Sequence, residues 1–320
     1  MTIHRYLITG GAGFIGSHLC ERLLADGHQV VALDDLSTGR RENLAGLLGK
    51  PGFQFVRDSV ENEATVGTLM ASCDAVMHLA SAVGVQLIVD EPVRTINTTI
   101  HGTEVVLESA SRFGKPVLIT SSSEVYGKGS RVPFSEDDDV VMGSTRSSRW
   151  CYAYSKDIDE FLGLAYYKQY QLPVTLVRLF NTVGPRQVGM YGMVLPRFAA
   201  AALRGTPLQV YGDGTQTRCF CHVGDVVDAM VRLTADPNNV GKVYNLGSDE
   251  EVSIEQLARR VIGLAQSSSA IEYISLEKAY GAKFDDMSRR VPDLGRIRQA
   301  IGFAPKLTLD QIILSVLGSV

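Results

Sequence analysis

The stretch Thr9-Gly10-Gly11-Ala12-Gly13-Phe14-Ile15-Gly16 follows a short apolar run, Tyr6–Thr9, and opens a segment of helical period. It satisfies Gly-x-Gly-x-x-Gly from Gly11 and Gly-x-x-Gly-x-x-Gly from Gly10. Glycine suits such a strand-to-helix turn for three reasons. The turn is tight, the backbone must approach a pyrophosphate without a Cβ in the way, and the helix must sit close on its sheet. The helix amino terminus then offers unpaired N–H groups and a partial positive charge to an anion. Gly10, Gly13, Phe14, Ile15 and Gly16 are therefore candidate contacts of a bound dinucleotide. Glycine-rich turns also occur in α/β proteins that bind nothing there, so the surroundings decide.

Those surroundings alternate. Strand-like runs at Tyr6–Thr9, Val30–Leu33, Phe53–Val56, Ala75–Leu79, Val117–Thr120 and Val174–Leu179 are separated by helical patterns. The spacing of Val93, Ile96, Ile100, Leu107 and Ala110 predicts a helix, with Pro92 in its first turn and Gly114 just past its end. The helix after the first strand is expected over Phe14–Ala25, stopping at Asp26-Gly27. Repeated β-α alternation predicts an α/β fold with a doubly wound parallel sheet of Rossmann type. Residues 1–180 are the expected dinucleotide domain, with a return segment near 215–235, and 181–320 a smaller mixed α/β carboxy-terminal substrate lobe. There a helix is expected from about Ser253 to Ala265, strands near Val243–Leu246 and Ile271–Ile274, and a last helix from Leu309.

The second strand ends in Leu33-Asp34-Asp35, eighteen residues after Gly16. A carboxylate at that strand end can accept both ribose hydroxyls and would repel a 2′-phosphate, so NAD is preferred, with Asp34 the better candidate of the two. Arg40 and Arg41 nearby leave NADP open.

Composition excludes several classes. The chain has 320 residues, 45% hydrophobic and 21% charged, which fits an ordinary globular protein. With 31 Lys plus Arg against 35 Asp plus Glu, the net charge of −4 argues against a nucleic-acid or anionic-membrane surface. No apolar run approaches the roughly 18–20 residues that span a bilayer. Met1 to Arg5 runs straight into a strand without the apolar core of a signal peptide. Five scattered cysteines, an odd count, then fit reduced thiols in a cytoplasmic protein. The acidic run Glu136-Asp137-Asp138-Asp139 reads as a solvated loop.

Two clusters carry chemistry. Tyr152 and Lys156 are four residues apart and share one helix face. A lysine charge at ~5 Å with an effective dielectric near 20 favours the phenolate by about 3 kcal/mol, roughly 2 pK units. That brings a tyrosine, ordinarily near pKa 10, toward acid/base duty. Tyr154 points elsewhere and is read as structural. The strand Val117–Thr120 runs into Ser121-Ser122-Ser123-Glu124, and ligands of open parallel sheets bind beyond the carboxyl ends of strands. Three hydroxyls and a carboxylate suit a sugar there, although a serine-rich turn capping a strand looks the same.

Taken with Asp58, His78-Leu79-Ala80, Asn97 and Arg178-Leu179-Phe180-Asn181, these motifs resemble the extended short-chain dehydrogenase/reductase family. More narrowly they resemble its nucleotide-sugar epimerases, dehydratases and decarboxylases. Asn181-Thr182-Val183-Gly184-Pro185-Arg186, Val210-Tyr211-Gly212-Asp213-Gly214, Thr217-Arg218 and Arg290-Val291-Pro292-Asp293 extend the similarity over nearly the whole chain. The resemblance implies NAD as cofactor and a UDP-sugar as substrate. It makes Tyr152 the acid/base, Lys156 its partner and a ribose ligand, and Ser122 the hydroxyl that meets the oxygen being oxidised, with Ser123 and Glu124 beside it. Asp58 would meet the adenine, Ala80 and Asn97 lie near the cofactor, and Val83 lines the sugar site. Asn181, Arg218 and Arg290 would hold the nucleoside diphosphate, for which guanidinium forks are well shaped.

Oxidation at sugar carbon 4 is shared by that branch. Ser81-Ala82-Val83-Gly84-Val85 resembles the epimerase loop, and the leading expectation is a UDP-hexose or UDP-hexuronate 4-epimerase. Glu124, Arg290 and the Trp150-Cys151-Tyr152 approach instead resemble UDP-glucuronate decarboxylase, the alternative. A dehydratase ranks third, and an NAD-sensing binding protein without activity is the reading of a different class. Cys219-Phe220-Cys221-His222 lacks a second ligand pair at zinc spacing, so buried thiols and no metal are expected. His78 is read as a structural hydrogen-bonder, and Met190 and Met193 as loop residues around Tyr191. By resemblance, the helices near 91–113 and 150–171 would form the interface of a homodimer.

Overall fold

The computed structural model describes residues 4–82, 84, 88, 90–189, 193–280 and 287–320. Strands and helices alternate as β1 Arg5–Thr9, α1 Phe14–Ala25, β2 Gln29–Leu33, β3 Phe53–Val56, α2 Glu63–Ser72 and β4 Ala75–His78. They continue with α3 Pro92–Phe113, β5 Val117–Ser122, α4 Cys151–Tyr170 and β6 Val174–Leu179. Val243–Leu246 adds a seventh strand, and the sheet runs Val243–Leu246, β6, β5, β4, β1, β2, β3. All of its pairings are parallel. From β1 the chain winds outward to β3, then crosses back to β4 on the other side. The order therefore reverses between β1 and β4, where a crevice opens beyond the strand ends.

The central strands β1, β2, β4 and β5 were legible because they are buried on both faces and read as largely continuous apolar runs. One face is covered by α1 through Leu19 and Leu23, by the helix Val223–Ala235 through Val226 and Met230, and by Ile297 and Ile301. The other is covered by Val66 and Met70 of α2 and by Val106 and Ala110 of α3. Gly114 ends α3 in the left-handed region at φ 64°, the role expected of it.

The return to the sheet goes further than the expected 215–235. It includes the edge strand Val243–Leu246 and the helix Gly295–Ile301, whose Ile297 and Ile301 bury in the sheet's own core. The rest of the carboxy-terminal half builds a separate core from Leu195, Phe198, Val210, Leu257 and Ile312. In it, Leu208–Tyr211 pairs in parallel with Ile271–Ile274, and Thr217–Cys219 antiparallel with Glu251–Ser253. Ser253 with Gln256 and Thr308 with Gln311 form capping boxes that start the helices Ile254–Leu264 and Leu309–Leu317.

The acidic run is not uniformly solvated. Glu136 is buried and accepts the Asn245 backbone N–H at 2.8 Å, with Arg296 3.8 Å away. The edge strand has captured this one carboxylate, while Asp137 remains 80% exposed. Cys219 and Cys221 are buried free thiols. Among the described residues, no group of three or more His, Cys, Asp or Glu is arranged to hold a metal ion. Also among them, no helix is long and apolar enough to cross a membrane.

Candidate active site

A single cleft runs from the glycine turn across the sheet's carboxyl edge to the second lobe, lined by Gly10, Asp34, Ser122, Tyr152, Asn181 and Arg290 among others. Its first half is a cradle that side chains would fill. A Cβ at Gly10, where φ is +69°, would stand 2.9 Å from the Ala80 nitrogen, and one at Gly16 would run into the Gly10 carbonyl oxygen. Gly13, Phe14 and Ile15 line the same turn, and Ala80 faces it from the end of β4. Asp34 is buried at the end of β2, accepting the Ala12 and Leu36 amides at 2.9 and 2.8 Å. Burial pushes its carboxyl above the usual range, while those amides pull it back. Asp58 also reaches the cleft, held by the Ser59 amide at 2.8 Å and the Asn62 side chain at 2.9 Å. Glycines without room for a Cβ, a helix amino terminus and a carboxylate at the second strand end fit a dinucleotide.

Asn97 does not join this group. It is exposed on α3 and borders a shallow neighbouring depression with Asp35 and Glu91, while Thr98 reaches the main cleft. One step along a helix turns a side chain by about 100°, which separates the two. Val83, Val85, Met190 and Tyr191 lie outside the described residues, and so does the test of the expectations placed on them. Met193 lines the cleft.

The second half holds the candidate acid/base pair. Tyr152 and Lys156 are buried on the first turns of α4, and the Ser122 hydroxyl at the end of β5 lies beside the Tyr152 phenol. Burial pushes the phenol up, and Lys156 pulls it back down. Lys156 donates to Asp159 at 2.9 Å. Burial alone would lower the pKa of Lys156, but Asp159 and then Tyr152 leave it above its ordinary value. Arg178 clamps Glu160 at 2.7 Å, and Ser121 donates to the same carboxylate, fixing α4 against β5 and β6. His78 bridges Thr9 at 2.7 Å and Thr103 at 3.0 Å; burial, then Lys156, pushes its pKa down to about 3, so the ring stays neutral. That matches its structural reading. Tyr154 donates to the Gly143 carbonyl at 3.1 Å, away from the pair.

Glu124 is the electrostatic centre of this half of the cleft. Its two oxygens meet Arg149 at 2.5 Å and Arg290 at 2.8 Å. Burial would raise its pKa, but Arg290 and Arg149 hold it at about 2. Ser123 is buried beside it. Arg290 is aimed by its own segment: Phe134 donates to the Val291 carbonyl and Asp293 to the Phe134 carbonyl, both at 2.8 Å. Arg218 lines the cleft and donates to the Met287 carbonyl at 2.9 Å, and Asn181 donates to that of Cys219 at 2.9 Å. Sequence reading missed Arg149 and Asp159. Each stands three residues from a member of the acid/base pair, a helical spacing that could have marked them.

The model of the NAD dependent epimerase/dehydratase family matches residues 6–247. The chain belongs to that family of NAD-dependent enzymes. It is 41% identical over 308 residues to a UDP-N-acetyl-alpha-D-glucosaminuronate decarboxylase of Bacillus cytotoxicus, covering 96% of this chain and 94% of that one. It is 37% identical over 309 residues to UDP-glucuronic acid decarboxylase 1 of Xenopus tropicalis, covering 96% and 70%. The UDP-glucose 4-epimerase of Thermotoga maritima, solved with UDP-glucose, superposes with a TM-score of 0.89 at 27% identity over 98% of each chain. The nucleotide-sugar branch read from the sequence stands. Within it, the relatives favour the decarboxylase alternative over the expected 4-epimerase to which the loop at residues 81–85 pointed.

Proposed function

We propose that the protein is an NAD-dependent UDP-hexuronate decarboxylase. The observation that carries this reading is the Arg149–Glu124–Arg290 triplet at the sugar end of the cleft. Two guanidiniums around one carboxylate leave a net positive charge, and a further anion is the substrate group that best answers it. A hexuronate brings one at carbon 6; a neutral hexose does not. The two decarboxylase relatives support the same choice.

The chemistry follows from placement. Tyr152, as phenolate, accepts the proton of the carbon-4 hydroxyl while Ser122 hydrogen-bonds that oxygen. When bound, NAD⁺ supplies hydride acceptance at carbon 4 and later hydride return. The ketone so formed is β to the carbon-6 carboxylate. The carbon 5–carbon 6 bond breaks, its electron pair passes into the carbonyl as an enolate, and carbon dioxide leaves. Carbon 5 takes a proton from water, the bound cofactor would return hydride to carbon 4, and Tyr152 gives its proton back to the oxygen, with no net oxidation. Glu124, ionised well below neutral pH, keeps both arginines aimed at the departing carboxylate. Asn181 and Arg218 take the diphosphate side; Arg290, expected there from the resemblance, is assigned to the carbon-6 carboxylate instead because it pairs with Glu124.

Incubation with UDP-glucuronate and UDP-N-acetylglucosaminuronate tests the reading. Carbon dioxide and a UDP-pentose are expected from at least one; a carbon-4 epimer with its carboxylate intact would return the enzyme to the epimerases. A homodimer belongs to the same proposal: Val93, Ile96, Ile158 and Phe161 stand exposed on the adjacent helices α3 and α4, an apolar face that a second copy would cover.

A further inference from the structure

Asp159 is 0% exposed and lies one helical turn beyond Lys156, its Oδ2 2.9 Å from the ammonium. The motif that identifies Tyr152 and Lys156 gives this carboxylate no role. We propose that Asp159 is a positioning residue for proton transfer: it keeps the proton on Lys156, so that the member of the Tyr152–Lys156 pair that ionises is the phenol. This rests on the assignment of Tyr152 as the base.

The need arises from burial. Lys156 is 2% and Tyr152 6% exposed, and their ordinary values, 10.5 and 10.0, are half a unit apart. Desolvation penalises both charged forms, moving lysine down and tyrosine up. Left to themselves, the pair would lose its first proton from lysine. The product, a neutral amine beside a neutral phenol, has no base to offer the substrate. A carboxylate in contact with the ammonium and farther from the phenol reverses the preference. It stabilises the charged lysine more than it opposes the phenolate.

Among the described residues, no other charge facing the pair takes this part. His78, from β4, is neutral and bonded to Thr9 and Thr103. Thr103, from α3, lies against Asp159 and carries no charge. Glu160, on α4 itself, is clamped by Arg178. Glu124, on the turn after β5, is held by Arg149 and Arg290.

Two linked effects follow, because interacting groups titrate as a unit. An anion opposes loss of a proton from either member, so neutralising Asp159 must lower the first ionisation of the pair. It must also lower the fraction of that ionised form in which the charge sits on the phenol. A purely structural role gives neither.

The test is an ultraviolet difference titration of tyrosinate in the NAD-loaded protein, each form measured against the same form carrying Tyr152→Phe. Asp159→Asn keeps the shape without the charge, and Asp159→Ala is a second neutral variant that leaves room for water. Both are expected to shift the Tyr152 midpoint down by about one pH unit, a tenfold change in proton affinity, with a smaller amplitude. In parallel, the acid limb of turnover on UDP-hexuronates should move the same way while the plateau falls about tenfold. An unmoved midpoint in both variants overturns the proposal, as does a shifted midpoint at full amplitude. Failure of both variants to fold would make the pair structural and overturn it too. Undiminished turnover by Tyr152→Phe would instead overturn the base assignment, and absence of any turnover with an intact titration would overturn only the decarboxylase reading.

Discussion

Glu124 sits between two guanidiniums, and its folded pKa of about 2 lies below the ordinary 4.5. A depressed carboxylate contributes stability in full above its unfolded value and loses it as pH falls through the folded one. About 3 kcal/mol should therefore disappear between roughly pH 4.5 and 2. Acid unfolding followed by circular dichroism should show this loss in the native protein and much less of it in Glu124→Gln. Arg149→Ala removes one arm of a buried pair and leaves charge uncompensated, which costs roughly 3–5 kcal/mol. Decarboxylation kcat/KM should fall by at least a hundredfold, with Arg149→Lys, which keeps charge but not the fork, in between. A variant within threefold of wild type would remove Arg149 from the site. Legibility at this scale was uneven. Tyr152 and Lys156 announce themselves by spacing, whereas Arg149 acquires its meaning from Glu124, which the turn after β5 brings against it, and Asp159 from the burial that leaves it in contact with Lys156. Asn97, expected near the cofactor, stands exposed on its helix beside a neighbouring depression.

At the scale of elements, local chemistry carried most of the reading. Fully buried parallel strands are apolar along their length, and α1 and α3 begin and end where glycine and proline dictate. What local chemistry could not give was pairing. Val243–Leu246 is recognisable as a strand, but only a contact with β6, more than sixty residues earlier, makes it the edge of the main sheet. Glu136 was misread for the same reason, since its partner Asn245 lies in that strand. Two substitutions test the element-level account. Gly16→Ala drives a methyl into the Gly10 carbonyl, so NAD affinity measured by calorimetry should drop at least tenfold. Wild-type affinity would contradict the cradle. Ser253→Ala breaks a capping box and should cost about 1 kcal/mol in denaturant unfolding without altering NAD binding.

For the whole molecule, two cores share one cleft: the sheet's carboxyl edge contributes Asp34, Ser122, Tyr152 and Lys156, the second lobe contributes Arg218, and Arg290 enters from the segment that pairs with Phe134. The exposed faces of α3 and α4 predict self-association, since Phe161 is 74% and Ile158 41% exposed on a helix whose opposite face packs into the fold. Light scattering should report a dimer, and Phe161→Glu should yield a monomer that still binds NAD; a monomeric wild type would refute this. The decisive question is what happens to carbon 6. UDP-glucuronate and UDP-N-acetylglucosaminuronate carrying carbon-13 at that position, followed by nuclear magnetic resonance in the presence of the NAD-loaded enzyme, would answer it directly. The label from at least one should leave as carbon dioxide and bicarbonate while a UDP-pentose accumulates. A label that stays on a sugar inverted at carbon 4 would contradict the central claim.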